Sequence, residues 1–205
     1  FKDFDKYLIL IHLVHKTFRA YGDFQIINSF DEFYAKETYE IPKINVIDLS
    51  RELLISKETT RRKILEMERD GAIKKDKKKI MINRKGQDYQ KPRDSIRNMS
   101  RLLSRFTEFL SQAGYLDKKV ENSVLDKKIR DNFTQIWTIF FEFQIPTIVG
   151  WKKFFGDIET WAIWAQCAYN QNLVMNKGFK ESLSPELTAD NFIEKINNWG
   201  NQGLN

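Results

Sequence analysis

Residues 46–86 read VIDLSRELLISKETTRRKILEMERDGAIKKDKKKIMINRKG, and this stretch decides the fold. Val46 to Leu53 has the spacing of a short helix, with Leu49 and Leu53 on one side. Ile55-Ser56 forms a turn, and Ser56 is a residue type whose hydroxyl accepts from the free N–H groups that open a helix. A longer helix then runs from Lys57 to Asp70, with Thr60, Ile64 and Met67 on its inner stripe. Gly71 supplies the left-handed residue that ends it. Ala72 to Lys75 and Lys79 to Asn83 alternate as two short strands, with Asp76-Lys77 as the turn between them and Ile80 and Ile82 facing in.

The charge of the chain is concentrated around this stretch. Residues 41–93 hold sixteen Lys or Arg against eight Asp or Glu, out of 34 and 28 in the whole chain. The rest therefore carries 18 basic and 20 acidic residues, so the entire positive excess of +6 sits in one quarter of the sequence. A basic block on a near-neutral body is the electrostatic footprint of a nucleic-acid reader. A solvated lysine-rich face explains the charge equally well when charge is taken alone.

Outward from the centre, residues 2–21 read as a helix whose middle, YLILIHLV, is apolar nearly all round. Such a helix has to be covered on more than one side, and the expected cover is the body of its own chain together with a second copy at a homodimer interface. Ser29-Phe30-Asp31-Glu32 fits a capping box opening a second helix, which Pro42 stops. Ile44 to Val46 is expected to be extended.

From about Gln90 the pattern becomes helical. Helices are expected at 95–113, 129–143, 147–155, 157–175 and 188–199, with a break at Pro146. Residues 120–128 read as a connector, and the tail from Gly200 as disordered.

In the order helix, turn, helix, hairpin, the segment LSRELLISKETTRRKILEMERDGAI resembles the winged helix-turn-helix DNA-binding segment of bacterial transcription regulators of the Crp/Fnr and GntR types. Their turn ends in Ser and their next helix opens on a basic-acidic-Thr triplet. The resemblance implies a mainly α fold with a small β-hairpin wing, joined to a helical C-terminal region. The expected division is an N-terminal dimerisation helix at 1–27, a winged-helix domain at 28–90 and a helical dimerisation or effector region at 91–205.

What the resemblance implies for function is sequence-specific binding of double-stranded DNA by a homodimer. It places Lys57, Glu58, Arg61 and Arg62 on the base-reading face. Arginine reads guanine through paired hydrogen bonds, and a carboxylate accepts from cytosine. Ser56 and Thr59 are candidates for phosphate contacts beside the helix N-terminus. Lys74, Lys75, Lys77, Lys78 and Lys79 suit a wing along the phosphate backbone, where mobile cations matter more than fixed geometry. Lys63 is grouped with the residues that project. The competing expectations are a winged-helix protein-interaction scaffold that never touches DNA, and a plasmid replication or partition initiator.

Other constellations point to less. His12 and His15 are the only histidines, and with no further Cys or His partner they make no metal site. The single cysteine, Cys167, cannot form an internal disulfide, reads as a buried small apolar residue, and fits a reducing, cytoplasmic setting. Trp137, Phe141, Trp151, Trp161 and Trp164 are candidates for the lining of a pocket that takes a small apolar or aromatic effector, with core packing as the alternative. No Gly-rich phosphate loop, metal cluster or nucleophile–base set marks an enzyme, no cofactor is implied, and no run reaches the roughly 20 apolar residues of a membrane span.

Overall fold

A computed structural model describes residues 3–42, 44–76, 79–83 and 93–181. Among these the chain is mainly helical with one small antiparallel sheet. The elements run α1 (Phe4–Asp23), α2 (Phe30–Ala35), β1 (Thr38–Glu40), α3 (Val46–Glu52), α4 (Lys57–Arg69), β2 (Ile73–Asp76), β3 (Lys79–Asn83), α5 (Arg93–Gln112), α6 (Asn122–Asp131), α7 (Phe133–Phe155) and α8 (Ile158–Glu181). Two compact units are present, Phe1–Val149 and Gly150–Asn205.

In the first unit α1 is central. Leu8 through Leu13 are all buried, as are Thr17 and Phe18. One side of the helix packs on α4. Phe18 meets Phe33 of α2 at 4.9 Å and Phe133 of α7 at 5.9 Å, edge to face, and Gln144 of α7 donates to the Tyr7 hydroxyl at 2.9 Å. The all-round apolar character of α1 is thus covered within one chain. The cover comes from elements close by and from α7 more than 100 residues further on.

The capping box at Ser29 is present. The Glu32 N–H donates to the Ser29 hydroxyl at 3.3 Å, and the Ser29 N–H donates back to the Glu32 carboxylate at 2.8 Å. The helix ends at Ala35, well before Pro42, because Thr38–Glu40 form a strand. That strand pairs antiparallel with β3, placing Tyr39 opposite Ile82, and β3 pairs antiparallel with β2, placing Ile73 opposite Ile82, for a sheet order β1-β3-β2. Tyr39 is buried, stacks on Phe33 at 4.5 Å and donates its hydroxyl to the Phe33 carbonyl at 3.1 Å. The extended stretch expected at 44–46 is therefore found earlier, and Asn45 instead caps α3 by accepting from the Ile47 N–H at 3.0 Å.

Two further expectations change in the C-terminal part. Residues 122–131 are a helix, not a connector. The helix α7 runs through Pro146 without ending. Proline removes one helical hydrogen bond and crowds the preceding turn. Here Pro146 and Glu142, whose carbonyl loses its donor, both lie on an exposed face, while Phe141 and Ile145 in the turn before the proline are buried. The helix expected at 188–199 and the tail from Gly200 lie outside the described residues. Among the described residues, no helix is long and apolar enough to cross a membrane.

In the second unit, Trp151 stacks with Trp161 and contacts Trp164, both at 6.4 Å between centroids. Cys167 is exposed, which corrects its expected burial. On α8 the covered face is drawn by Ile158, Trp161, Ala162 and Ala165, and Cys167 lies on the opposite side of the helix.

Candidate nucleic-acid interface

The candidate site is built on α3, the four residues that follow it, and α4. Leu53 and Ile55 are buried, and Leu49 of α3 is buried with them. The Ile55 N–H donates to the Ser50 carbonyl at 3.1 Å, and the Ser50 hydroxyl donates to the Ile55 carbonyl at 2.6 Å, so the turn is closed from both sides. Leu54 between them takes a left-handed backbone, φ 52°, with its side chain exposed. A non-glycine residue in that region carries strain, because Cβ crowds the backbone carbonyl.

Ser56 caps α4 as expected. Its hydroxyl accepts from the Thr59 N–H at 3.1 Å and donates its own hydrogen to the Thr59 side chain at 2.9 Å. The two hydroxyls share one hydrogen bond, so one hydroxyl hydrogen of the pair is left to point elsewhere. Thr60 is fully buried and donates to the Ser56 carbonyl at 3.0 Å.

The helix α4 divides cleanly. Thr60, Ile64 and Met67 are buried, whereas Lys57, Glu58, Arg61 and Arg62 are all exposed. Among the described residues none of these four has an oppositely charged group within ion-pair distance. Lys57 and Arg61 lie one turn apart on one strip of the helix, and Glu58 and Arg62 on the next.

Lys63 departs from expectation. Instead of projecting, it is largely buried, ion-paired to Asp3 at 2.5 Å and to Glu66 at 3.4 Å. Beside it, Lys6 of α1 meets Glu66 at 3.0 Å and Asp70 at 2.9 Å. Hydrogen bonding to the Lys6 ammonium holds both the Asp70 and Glu66 carboxyls below their usual range, and Asp70 in turn raises Lys6. This network fastens the rear of α4 to the start of α1 and leaves the opposite, cationic side clear. The physical reason for the miss is distance in sequence, since Asp3 stands 60 residues before Lys63.

On the other side of α3, His12 donates from Nε2 to Glu52 at 3.0 Å. Burial pushes the His12 pKa down to about 4, with Glu52 opposing and Lys16 and His15 adding to the shift, so the ring is neutral near pH 7. Its Nδ1 is buried without a partner. Burial lowers His15 as well, against the pull of Glu142.

The helix closes as expected at Gly71, φ 75°, with the Ala72 N–H donating to the Met67 carbonyl at 2.9 Å. The hairpin follows at once. Lys74 is exposed on β2, Lys75 lies on β2 opposite Ile80, and Lys79 opens β3 opposite Asp76. Lys77 and Lys78 lie outside the described residues. The five aromatic candidates fall into different units. Trp137 and Phe141 are buried in the first, where Trp137 stacks on Phe133 at 5.2 Å, while Trp151, Trp161 and Trp164 belong to the second.

Two features of this surface escape a reading by residue type. Leu65 stands on the outer side of α4 at 58% exposure, and Leu54 carries its strained backbone in the turn. Comparison with protein-family models, with curated proteins and with solved structures found no match.

Proposed function

We propose that the protein is a sequence-specific double-stranded-DNA-binding transcription regulator, built on a winged helix-turn-helix formed by α1, β1, α3, α4 and the β2–β3 hairpin. The observation that carries this reading is the two-sidedness of α4. Its inner stripe is packed and its rear is ion-paired to α1, while Lys57, Glu58, Arg61 and Arg62 stand exposed around its first turns. A helix that enters the major groove presents this kind of donor and acceptor set from its N-terminal part.

The lysine-bearing hairpin that directly follows α4 supports the reading. Its cations suit phosphate contacts that fix orientation and carry no sequence information. In this account Arg61 and Lys57 face base edges with Glu58, Arg62 reaches a base or a flanking phosphate, and Thr59 donates to a phosphate beside the helix start. The protein acts as a homodimer on two half-sites, and the single cysteine supports a reducing, cytoplasmic setting.

The test is fluorescence anisotropy of labelled duplex across a salt series. Log affinity should fall linearly with log salt, and Lys74→Ala should make the slope shallower by about 0.9, the value for one lost phosphate contact. An affinity indifferent to salt rules the proposal out. It would favour a second reading, a protein-docking scaffold, for which exposed Leu65 among the charges of α4 is the supporting observation.

A further inference from the structure

One apolar side chain interrupts the charged outer side of α4. Leu65 is 58% exposed and stands outside the packed core, whereas Ile64 and Met67 on the same helix are buried. An α-helix turns by about 100° per residue. Counted from Lys57, Arg61 lies about 40° round the axis, Leu65 about 80°, Glu58 about 100° and Arg62 about 140°. Leu65 therefore stands in the middle of the arc that the four candidate base-reading residues define, one turn beyond Arg61.

Residues three and four positions away are the surface neighbours of a helical residue. For Leu65 these are Arg61, Arg62, Glu68 and Arg69, all charged. The leucine is thus a single apolar spot ringed by charge on its helix, and not the edge of an apolar stripe. A protein partner is held by clustered apolar and aromatic anchors inside a polar rim, and the outer side of α4 offers one such side chain. Lone exposed apolar residues are ordinary on protein surfaces. What gives this one meaning is its place at the centre of a face otherwise made of hydrogen-bond donors and acceptors.

We infer that Leu65 is a specificity-determining residue of α4, packing in the major groove on the C5-methyl group of a thymine. The inference rests on the reading of α4 as the helix that enters the groove. On the major-groove edges of the base pairs, thymine contributes a methyl group, while the other distinguishing features are hydrogen-bond donors and acceptors that a leucine cannot satisfy. Contact between the methyl and the leucine removes apolar surface of both from water. Leu65 lies four residues beyond Arg61, about 6 Å along the helix axis, or roughly two base-pair steps. The thymine is therefore expected within about two base pairs of the base that Arg61 reads.

The experiment is fluorescence anisotropy at one fixed salt concentration on a duplex selected by the full chain, with each thymine replaced in turn by deoxyuridine, which lacks only the methyl group. At one thymine of each half-site the full chain should lose about fourfold in affinity, the effect of one buried methyl. Leu65→Ala should bind the thymine duplex more weakly by a similar factor, and should bind the thymine and deoxyuridine duplexes alike at that position. Leu65→Met should keep the preference, and Arg61→Ala should weaken both duplexes while preserving the ratio between them. Because Leu65 is exposed and alanine favours helix, far-ultraviolet circular dichroism should be unchanged in Leu65→Ala. Full affinity at every deoxyuridine position overturns the inference, and so does a methyl preference that survives Leu65→Ala. Both results leave the reading of α4 as a DNA-binding helix standing. A full chain that selects no duplex and shows no salt-dependent affinity overturns that reading and the inference together.

Discussion

The helices α4 and α5 are both amphipathic and follow one another in the first unit, yet they leave opposite kinds of face exposed. In α4 the apolar stripe of Ile64 and Met67 is inside and the charges are outside. In α5 Ser100, Ser104 and Thr107 share the inner side with Ile96, Met99 and Leu103, while Leu102, Phe106 and Phe109 are outside. Periodicity alone treats the two as equivalent. What separates them is what each leaves exposed, donors and cations on α4 and the large apolar side chains of Leu102, Phe106 and Phe109 on α5.

The sharpest way to break this comparison is to truncate one apolar residue on each helix. Ile64→Ala should cost about 2–5 kcal/mol of folding stability, since Ile64 is buried and a cavity remains. Leu102→Ala should change the stability of the monomer by only about 0.5 kcal/mol, because that side chain already faces water. Denaturant unfolding at low protein concentration checks both. Equal losses would mean that α5 buries its apolar face within one chain.

Acid separates the regions in another way, because both histidines lie in α1 and none in α5. His12 has a folded pKa of about 4 against an ordinary 6.5, lowered first by burial. The unfolded chain therefore binds the proton more readily. The contribution of the neutral ring is fully present above pH 6.5, and is lost as pH falls from there through about 4. Unfolding free energy measured across that window should decline with acid, and His12→Gln should reduce the slope by about one proton. An unchanged slope would show that His12 is not the group responsible.

On α4, Arg61→Ala should cost roughly 1–3 kcal/mol on a preferred duplex and much less on unrelated sequence, and Glu58→Ala should relax discrimination at one base pair. Anisotropy on single-base variants at one fixed salt concentration reads both. If neither changes the ranking of variants, the helix does not read bases. The smallest effect concerns the turn between α3 and α4. Leu54→Asn should gain about 1 kcal/mol or less, since Asn adopts the left-handed backbone more easily. A loss in thermal unfolding would mean that the exposed leucine contributes packing worth more than the strain.

How much of this was legible in the sequence follows from the range of each signal. The limits of α4, its Ser56 cap and its Gly71 stop are written in neighbouring residues, and so is the capping box at Ser29. Three-residue β1 was not legible, because its ladder partner lies more than 40 residues away and it has too few residues to show alternation. The same holds for Lys63, whose acid partner Asp3 is brought beside it only by the packing of α1 on α4. Pro146 signalled a break that buried Phe141 and Ile145 override. In α5 the apolar stripe was visible but its direction was not, since nothing local says that Ser104 and Thr107 will be claimed by Val120.

The most direct measurement is selection of bound duplexes from a random pool by the full chain. The account predicts enrichment of a motif of two related half-sites, spaced by about 10 base pairs or a multiple of that, and loss of the enrichment with Arg61→Ala. A pool that stays random through successive rounds, with the protein folded and intact, would contradict the claim that α4 reads DNA.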